Sequence, residues 1–170
     1  GGIVFMTPST PGNTSGLFYE AAPSTWYSPS GDPTSVWCNN ATDLLGVGSR
    51  SGTGAMDGAA KTTVMLGVCT RGAANFADEY SATVNGVVYG DWFLPSKNEL
   101  NVMYSVLGTA SPGIGSYARS FYWSSSEYDF NNAWTVNFKD GQQFDREKWL
   151  LPDTINGVKA LRVRAIRAFG

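Results

Sequence analysis

Apolar positions along this 170-residue chain fall into short clusters. Their spacing shifts between continuous runs, steps of three or four, and strict alternation. Gly2-Ile3-Val4-Phe5-Met6 is a continuous run and predicts a buried first strand. Residues 7–16 are rich in Pro, Ser, Thr, Gly and Asn and predict a loop. Leu17-Phe18-Tyr19-Glu20-Ala21-Ala22 predicts a second strand. Residues 23–54 carry many turn formers and little periodicity. They predict a long surface loop pinned by Trp26 and Trp37, with Cys38 a further candidate anchor.

Steps of three and four follow. Residues 56–68 predict a helix with Asp57 as N-cap and Ala60, Val64, Gly67 and Val68 as its apolar stripe. Thr62 and Thr63 at its centre are poor helix formers. Residues 73–80 predict a shorter helical piece with Ala73, Phe76, Ala77 and Tyr80 on one face. Thr83-Val84-Asn85-Gly86-Val87-Val88-Tyr89 predicts a hairpin, because Asn-Gly accepts the positive φ angles of a type I′ turn. The clearest helix comes after Asp91-Trp92-Phe93-Leu94-Pro95. Ser96 and Glu99 read as a capping box, Leu100, Met103, Tyr104 and Leu107 form the stripe, and Gly108 ends it. Residues 109–119 predict a loop.

Alternation dominates the last third. Trp134, Val136 and Phe138 alternate with Ala133, Thr135 and Asn137, which predicts a half-buried strand with Trp134 facing in. Asp140-Gly141 and Asn156-Gly157 are turn signals. Leu161, Val163 and Ala165 alternate with Arg162 and Arg164. Ile166 and Arg167 then break the pattern, and a bulge near Ala165 is the expected repair. No fixed-period repeat and no linker divides the chain, so residues 1–170 read as a single mixed domain.

Composition narrows the function classes. Hydrophobic residues at 42% and charged residues at 15% describe an ordered globular protein. A net charge of -2 gives no global field for nucleic acid, so no nucleic-acid partner is expected. Residues 139–170 are locally basic, with seven Lys/Arg against four Asp/Glu. That bias fits an anionic ligand, although strand-flanking charges and local ion pairs are the commoner cause. There is no histidine, which removes the commonest general base and the commonest zinc ligand. Cys38 and Cys69 are either free buried thiols or one bridge. No apolar run approaches the roughly 20 residues of a membrane span, so no membrane insertion is expected. The chain opens Gly-Gly, which suggests a piece of something longer.

Catalytic signatures are missing: no nucleophile elbow, phosphate loop, zinc spacing or calcium loop. Gly52-Thr53-Gly54 lacks the strand–helix setting of a nucleotide fingerprint. Ser124, Ser125 and Ser126 have no partner at an activating spacing, and bonds to nearby backbone are the expected role. Asp91, Glu99, Glu127, Asp129, Asp140, Asp145 and Glu147 contain no singled-out acid/base pair. No catalytic residue, metal or cofactor is expected. Tyr128, Phe130, Trp134 and Trp149, interleaved with Asn131, Asn132, Asn137, Gln142 and Gln143, have the composition of a recognition surface. Asp129 to Asn132 are expected at the surface, since four such residues in a row are costly to bury.

Several motifs in one order resemble a known family. They are Gly2-Ile3-Val4-Phe5, Gly90-Asp91-Trp92-Phe93-Leu94-Pro95-Ser96-Lys97-Asn98-Glu99-Leu100, Tyr122-Trp123-Ser124-Ser125-Ser126-Glu127-Tyr128, Ala133-Trp134 and Arg162-Val163-Arg164-Ala165-Ile166-Arg167-Ala168-Phe169. Together they resemble the C-terminal domain of the Legionella collagen-like adhesin family, a group of bacterial and phage surface domains. The resemblance implies an α+β, C-type-lectin-like fold: two helices on a twisted, mostly antiparallel sheet with long loops. It implies a trimeric binding module of an adhesin, surface lipoprotein or phage tail, placed outside the cell or on a virion. It also leans toward an oxidising compartment for the two cysteines. In some related domains a retroelement diversifies a C-terminal stretch, and residues 127–149 fall where that stretch would lie. The Glu-Pro-Asn and Trp-Asn-Asp signatures of calcium-dependent sugar binding are missing, as are the paired C-terminal cysteines of formylglycine-generating enzymes.

The leading expectation is a non-enzymatic receptor-binding domain that contacts a surface glycan or protein. Asp129, Phe130, Asn131, Asn132, Thr135, Asn137, Gln143, Asp145, Arg146 and Trp149 would form the contact surface. A fibre-capping or trimerising domain without its own ligand is the second expectation, and a two-carboxylate hydrolase the third.

Overall fold

The computed structural model describes residues 1–48, 56–109, 114–149 and 161–170. The protein is α+β. Strands β1 (Ile3–Met6), β2 (Phe18–Ala21) and β9 (Ile166–Phe169) form one antiparallel sheet in the order β1-β2-β9. A four-stranded sheet has the order β7-β6-β5-β8, with β5 Phe121–Glu127, β6 Asn132–Asn137, β7 Gln143–Glu147 and β8 Leu161–Arg162. Only the β5–β8 pairing is parallel among the described strands. Strands β3 (Ala82–Val84) and β4 (Val87–Tyr89) make the predicted hairpin. Its turn has Asn85 at φ 51° and Gly86 at φ 80°, the two positive angles that Asn-Gly supplies cheaply.

Strand alternation places the core on both faces of β5 and β6. Trp123 and Ala133 face one cluster with Trp37, Met65, Trp92 and Leu161. Tyr122 and Val136 face the other, with Met6, Phe93, Leu100, Met103 and Ile166. Helix α3 (Lys97–Met103) serves the second cluster and continues through a π-helical turn at Tyr104–Gly108. Its capping box is present as read: Ser96 accepts from Glu99 N at 3.3 Å, and Glu99 accepts from Ser96 N at 2.7 Å. Leu100, Met103 and Leu107 are buried as the stripe requires.

Helix α1 (Gly58–Leu66) forms where predicted but buries a different face. Val64 and Val68 are exposed, while Lys61, Thr62 and Met65 are buried. The reason is polar. Thr62 Oγ1 accepts from Leu94 N at 3.0 Å and donates to Leu94 O at 3.3 Å. Lys61 Nζ donates to Ser126 Oγ at 3.2 Å and pairs with Asp57 at 3.0 Å. Asp57 holds the N-cap position but makes no side-chain cap bond. A six-residue helix, α2 (Ala73–Asp78), forms where residues 73–80 predict a shorter helical piece, and it buries Ala73 and Ala77 of the predicted face.

The serine triplet widens β5. Between Trp123 and Glu127 the strand advances four residues while β6 advances two, from Thr135 to Ala133. The bulge turns hydroxyls and amides toward neighbours. Ser124 Oγ donates to Trp134 O at 2.7 Å, Ser125 N donates to Pro95 O at 2.8 Å, and Ser126 Oγ accepts from Lys97 N at 3.0 Å.

The end of the chain corrects a second expectation. No bulge repairs the break near Ala165. The chain leaves the four-stranded sheet after Arg162 and joins the three-stranded sheet at Ile166. Arg164 lies in the crossing, only 1% exposed, with Asp32 at 2.5 and 2.8 Å.

Between β2 and α1, the described part of the long loop, up to residue 48, contains no strand. Trp37 is fully buried and donates to Ser124 O at 2.7 Å. Cys38 is bridged to Cys69, so the open choice between thiols and a disulfide resolves to the disulfide. Gly72 sits against this loop at φ 151°, where a Cβ would meet Trp37 O at 2.4 Å, and only glycine fits. Gly52-Thr53-Gly54, Asn156-Gly157 and part of the predicted 109–119 loop lie outside the described residues.

Candidate functional site

Lys148 is the residue around which the candidate surface is built. It follows β7, and its side chain is fully buried. The ammonium group has three N–H donors, and each finds an oxygen: Glu127 Oε2 at 2.6 Å, Asp43 O at 2.9 Å and Phe130 O at 2.9 Å. Glu127, also fully buried, ends β5. Its Oε1 accepts from Leu45 N and Gly46 N, both at 3.1 Å, and Oε2 accepts from Leu45 N at 2.9 Å. Both charges are therefore paired and hydrogen-bonded, the condition under which such a buried pair is tolerated. Three segments distant in sequence converge on it: residues 43–46, the β5–β6 loop, and the end of β7.

The β5–β6 loop has its own lock. Asp129 Oδ1 accepts from Asn131 N at 2.9 Å, Asn132 N at 2.8 Å and Asn132 Nδ2 at 3.0 Å. Partial burial works to raise the Asp129 pKa, but these bonds and the nearby Lys148 charge outweigh it and hold the carboxyl below its ordinary value. Asp129 and Asn132 thus shape the turn rather than reach outward.

What this frame presents is apolar. Phe130 is 57% exposed, Trp149 52% and Leu44 52%. Each lies next to, or at, a backbone group fixed by the ion pair or its partners: Asp43 O and Leu45 N flank Leu44, Phe130 O is itself bound, and Lys148 precedes Trp149. Lys148 is also held through its backbone, donating to Asn131 O at 2.7 Å and accepting from Trp37 N at 2.8 Å. Exposed Asn131 and Asp43 add polar groups beside the three apolar ones.

The predicted surface residues do not form one patch. Cross-strand partners share a face, so Asn132 and Asp145 lie on the face of Trp134, and Gln143 lies with Val136. Arg146 lies with Ala133 on the other face, where its guanidinium sits 4.5 Å from the Phe121 ring centroid and 5.1 Å from that of Phe144. Thr135 is not at the surface: it is fully buried, and its hydroxyl donates to Phe144 O at 2.9 Å. Covering of both sheet faces by the two clusters puts it inside. Asn137 is half-buried, and its Oδ1 accepts from Lys139 N at 3.0 Å in the hairpin turn. Gln143 and Asp145 are exposed on edge strand β7. Of the ten, Phe130, Asn131 and Trp149 gather at the surface around Lys148.

The alternation does not sort β6 into an inner and an outer face: Ala133 and Thr135, expected outside, are fully buried, while Trp134 is only half-buried and belongs to neither core cluster, because both faces of the strand are covered. Lys97 Nζ lies 3.3 Å from the Trp134 ring centroid, and Tyr128 packs edge-on at 5.0 Å. Burial lowers the Lys97 pKa.

Leu44 and Lys148 were missed by sequence reasoning, and Glu127 was weighed only as a carboxylate, not as the partner of a buried lysine. Leu44 belongs to a stretch without periodicity, and the Lys148–Glu127 pair spans 21 positions of sequence, so no local pattern marks it. Glu99, Glu127 and Asp129, three of the carboxylates weighed for acid/base work, bind backbone donors instead. Among the described residues, no group of three or more His, Cys, Asp or Glu is placed to hold a metal ion, and no helix is long and apolar enough to cross a membrane. No protein-family model matches the chain, and no curated protein matches it.

Proposed function

We propose that this chain is a non-enzymatic receptor-binding domain of C-type-lectin-like fold, displayed outside the cell or on a virion, that contacts a surface glycan or protein. The observation that carries this reading is the exposure of Leu44, Phe130 and Trp149 on backbone fixed by the buried Lys148–Glu127 pair. Exposed apolar side chains cost little when they stand singly, but a set mounted on one rigid base suits contact with a partner. Such a base removes much of the ordering cost of binding. The lectin-like reading draws support from the sharing of one sheet by the first and last strands, and from the long loop. The Cys38–Cys69 bridge supports an oxidising compartment.

Binding to a glycan array and to a panel of bacterial and host cells tests the proposal. The triple variant Phe130→Ser, Asn131→Ser, Trp149→Ser leaves Asp129, Asn132 and Lys148 in place. It is expected to weaken binding by about tenfold or more, the effect of losing central aromatic anchors. Unchanged binding, with unchanged circular dichroism, would remove this surface from consideration.

A second reading gives the same apolar residues to neighbouring copies in a trimeric fibre cap, since exposed apolar side chains also suit a subunit interface. It predicts that the triple variant lowers the oligomeric state in light scattering. The receptor reading predicts the same oligomer for both proteins.

A further inference from the structure

A second place on the molecule shares no residue with the surface around Lys148. Phe76 lies on α2 and Tyr80 four residues later, just past its end, a spacing that puts side chains on one side. Trp26 packs on Tyr80 with ring centroids 5.3 Å apart at 76°, and Tyr27 on Phe76 at 5.4 Å and 75°. Trp26 and Tyr27 meet at 6.1 Å and 58°. The four rings turn round one cavity of about 330 Å³, and Glu79 and Ser81 complete its lining. Tyr27 is 55% exposed, and the other three are half-buried, so the set is open to solvent rather than closed into the core.

The box is held from behind. Trp26 Nε1 donates to Asp32 Oδ1 at 2.7 Å, and Asp32 is itself buried against Arg164. Tyr80 packs on buried Trp92 at 4.9 Å. Trp26 and Tyr80 are therefore held in place without a ligand.

Steep angles between neighbouring rings distinguish this arrangement from a flat stacking platform for a sugar face. A cation enclosed by several rings gains from each ring quadrupole. A primary ammonium brings three N–H donors, which the ring faces cannot satisfy and which Glu79, Ser81 and the tyrosine hydroxyls would have to accept together. A trimethylammonium group has no N–H to satisfy, and the exposed Glu79 carboxylate supplies the opposite charge at the rim. We propose that the Trp26–Tyr27–Phe76–Tyr80 box binds a trimethylammonium group of the kind choline carries.

Tryptophan fluorescence titrations of the intact chain test this with tetramethylammonium, choline and dimethylbutanol, the uncharged carbon isostere of choline. Choline and tetramethylammonium are expected to bind saturably, with the isostere about tenfold weaker. Tyr27→Ala and Glu79→Gln, both at exposed positions, are each expected to weaken choline several-fold with unchanged circular dichroism. Phosphocholine, phosphatidylcholine vesicles and a trimethyllysine peptide then identify the carrier, and capture of any of them supports the site. Equal affinity for choline and its isostere would overturn the proposal. So would absence of saturable binding by tetramethylammonium, or a preference for methyl hexosides.

Discussion

Two buried acids show how single residues set the stability of this protein. Asp32 accepts from Arg164 at 2.5 and 2.8 Å, from Tyr122 OH at 2.5 Å and from Trp26 Nε1 at 2.7 Å. Replacing Asp32 by Asn leaves the Arg164 guanidinium buried without its counter-charge, and the expected loss is about 3–5 kcal/mol in urea denaturation. A loss below about 1 kcal/mol would show that the pair is not held as described. Glu99 behaves differently. Burial raises its pKa from 4.5 to about 7, partly offset by bonds from Ser96 and Gly58, with Asp57 adding to the rise. The folded value lies above the unfolded one, so between them the folded state keeps a proton that the unfolded state has released. Stability is then fullest below about pH 4.5 and falls as pH rises toward 7, by on the order of 3 kcal/mol. The absence of histidine keeps that window free of imidazole titration. Denaturation midpoints measured from pH 4.5 to 8 should fall in the wild type and stay flatter in Glu99→Gln. A wild-type midpoint rising over that range would contradict the assignment.

At the level of elements, the protein is legible in its sequence wherever the signal is local. Asn85-Gly86, Asp140-Gly141 and the Ser96/Glu99 box specify their own backbone geometry, and all three stand as read. Alternation located β6 but not its buried residues, since Ala133 and Thr135 are fully buried and Trp134 only half. The inner face of α1 was not legible, because Leu94 and Ser126 decide it from other segments. The chain crossing at Arg164 was not legible either. A buried arginine reads as an outward position until Asp32 is known to lie beside it. The surface proposed to meet a partner is not legible as one patch: the aromatic and amide composition runs over residues 128–149, but strand alternation splits those residues between two faces. Two substitutions on α1 distinguish its buried face from its exposed one. Val64→Lys, on the exposed face, should change stability by no more than about 0.5 kcal/mol. Thr62→Val, which leaves Leu94 N without its acceptor, should cost about 1–3 kcal/mol. Thermal or urea unfolding distinguishes them, and the reverse order would restore the stripe of Ala60, Val64 and Val68.

For the molecule as a whole, long-range ties replace regular structure in the loops. Cys38–Cys69 closes a separation of 31 residues between the long loop and the α1–α2 corner. Its reduction should cost about 2–4 kcal/mol, read as a lower urea midpoint in dithiothreitol. The Lys148–Glu127 pair does the same work for the surface proposed to meet a partner, and the functional account rests on that surface being rigid beforehand. Amide hydrogen exchange at Leu45 and Gly46, whose N–H groups point into the Glu127 carboxylate, measures this most directly. The account predicts protection comparable to that of β5 and β6, with exchange only through global unfolding. Exchange as fast as in an unstructured peptide would contradict it.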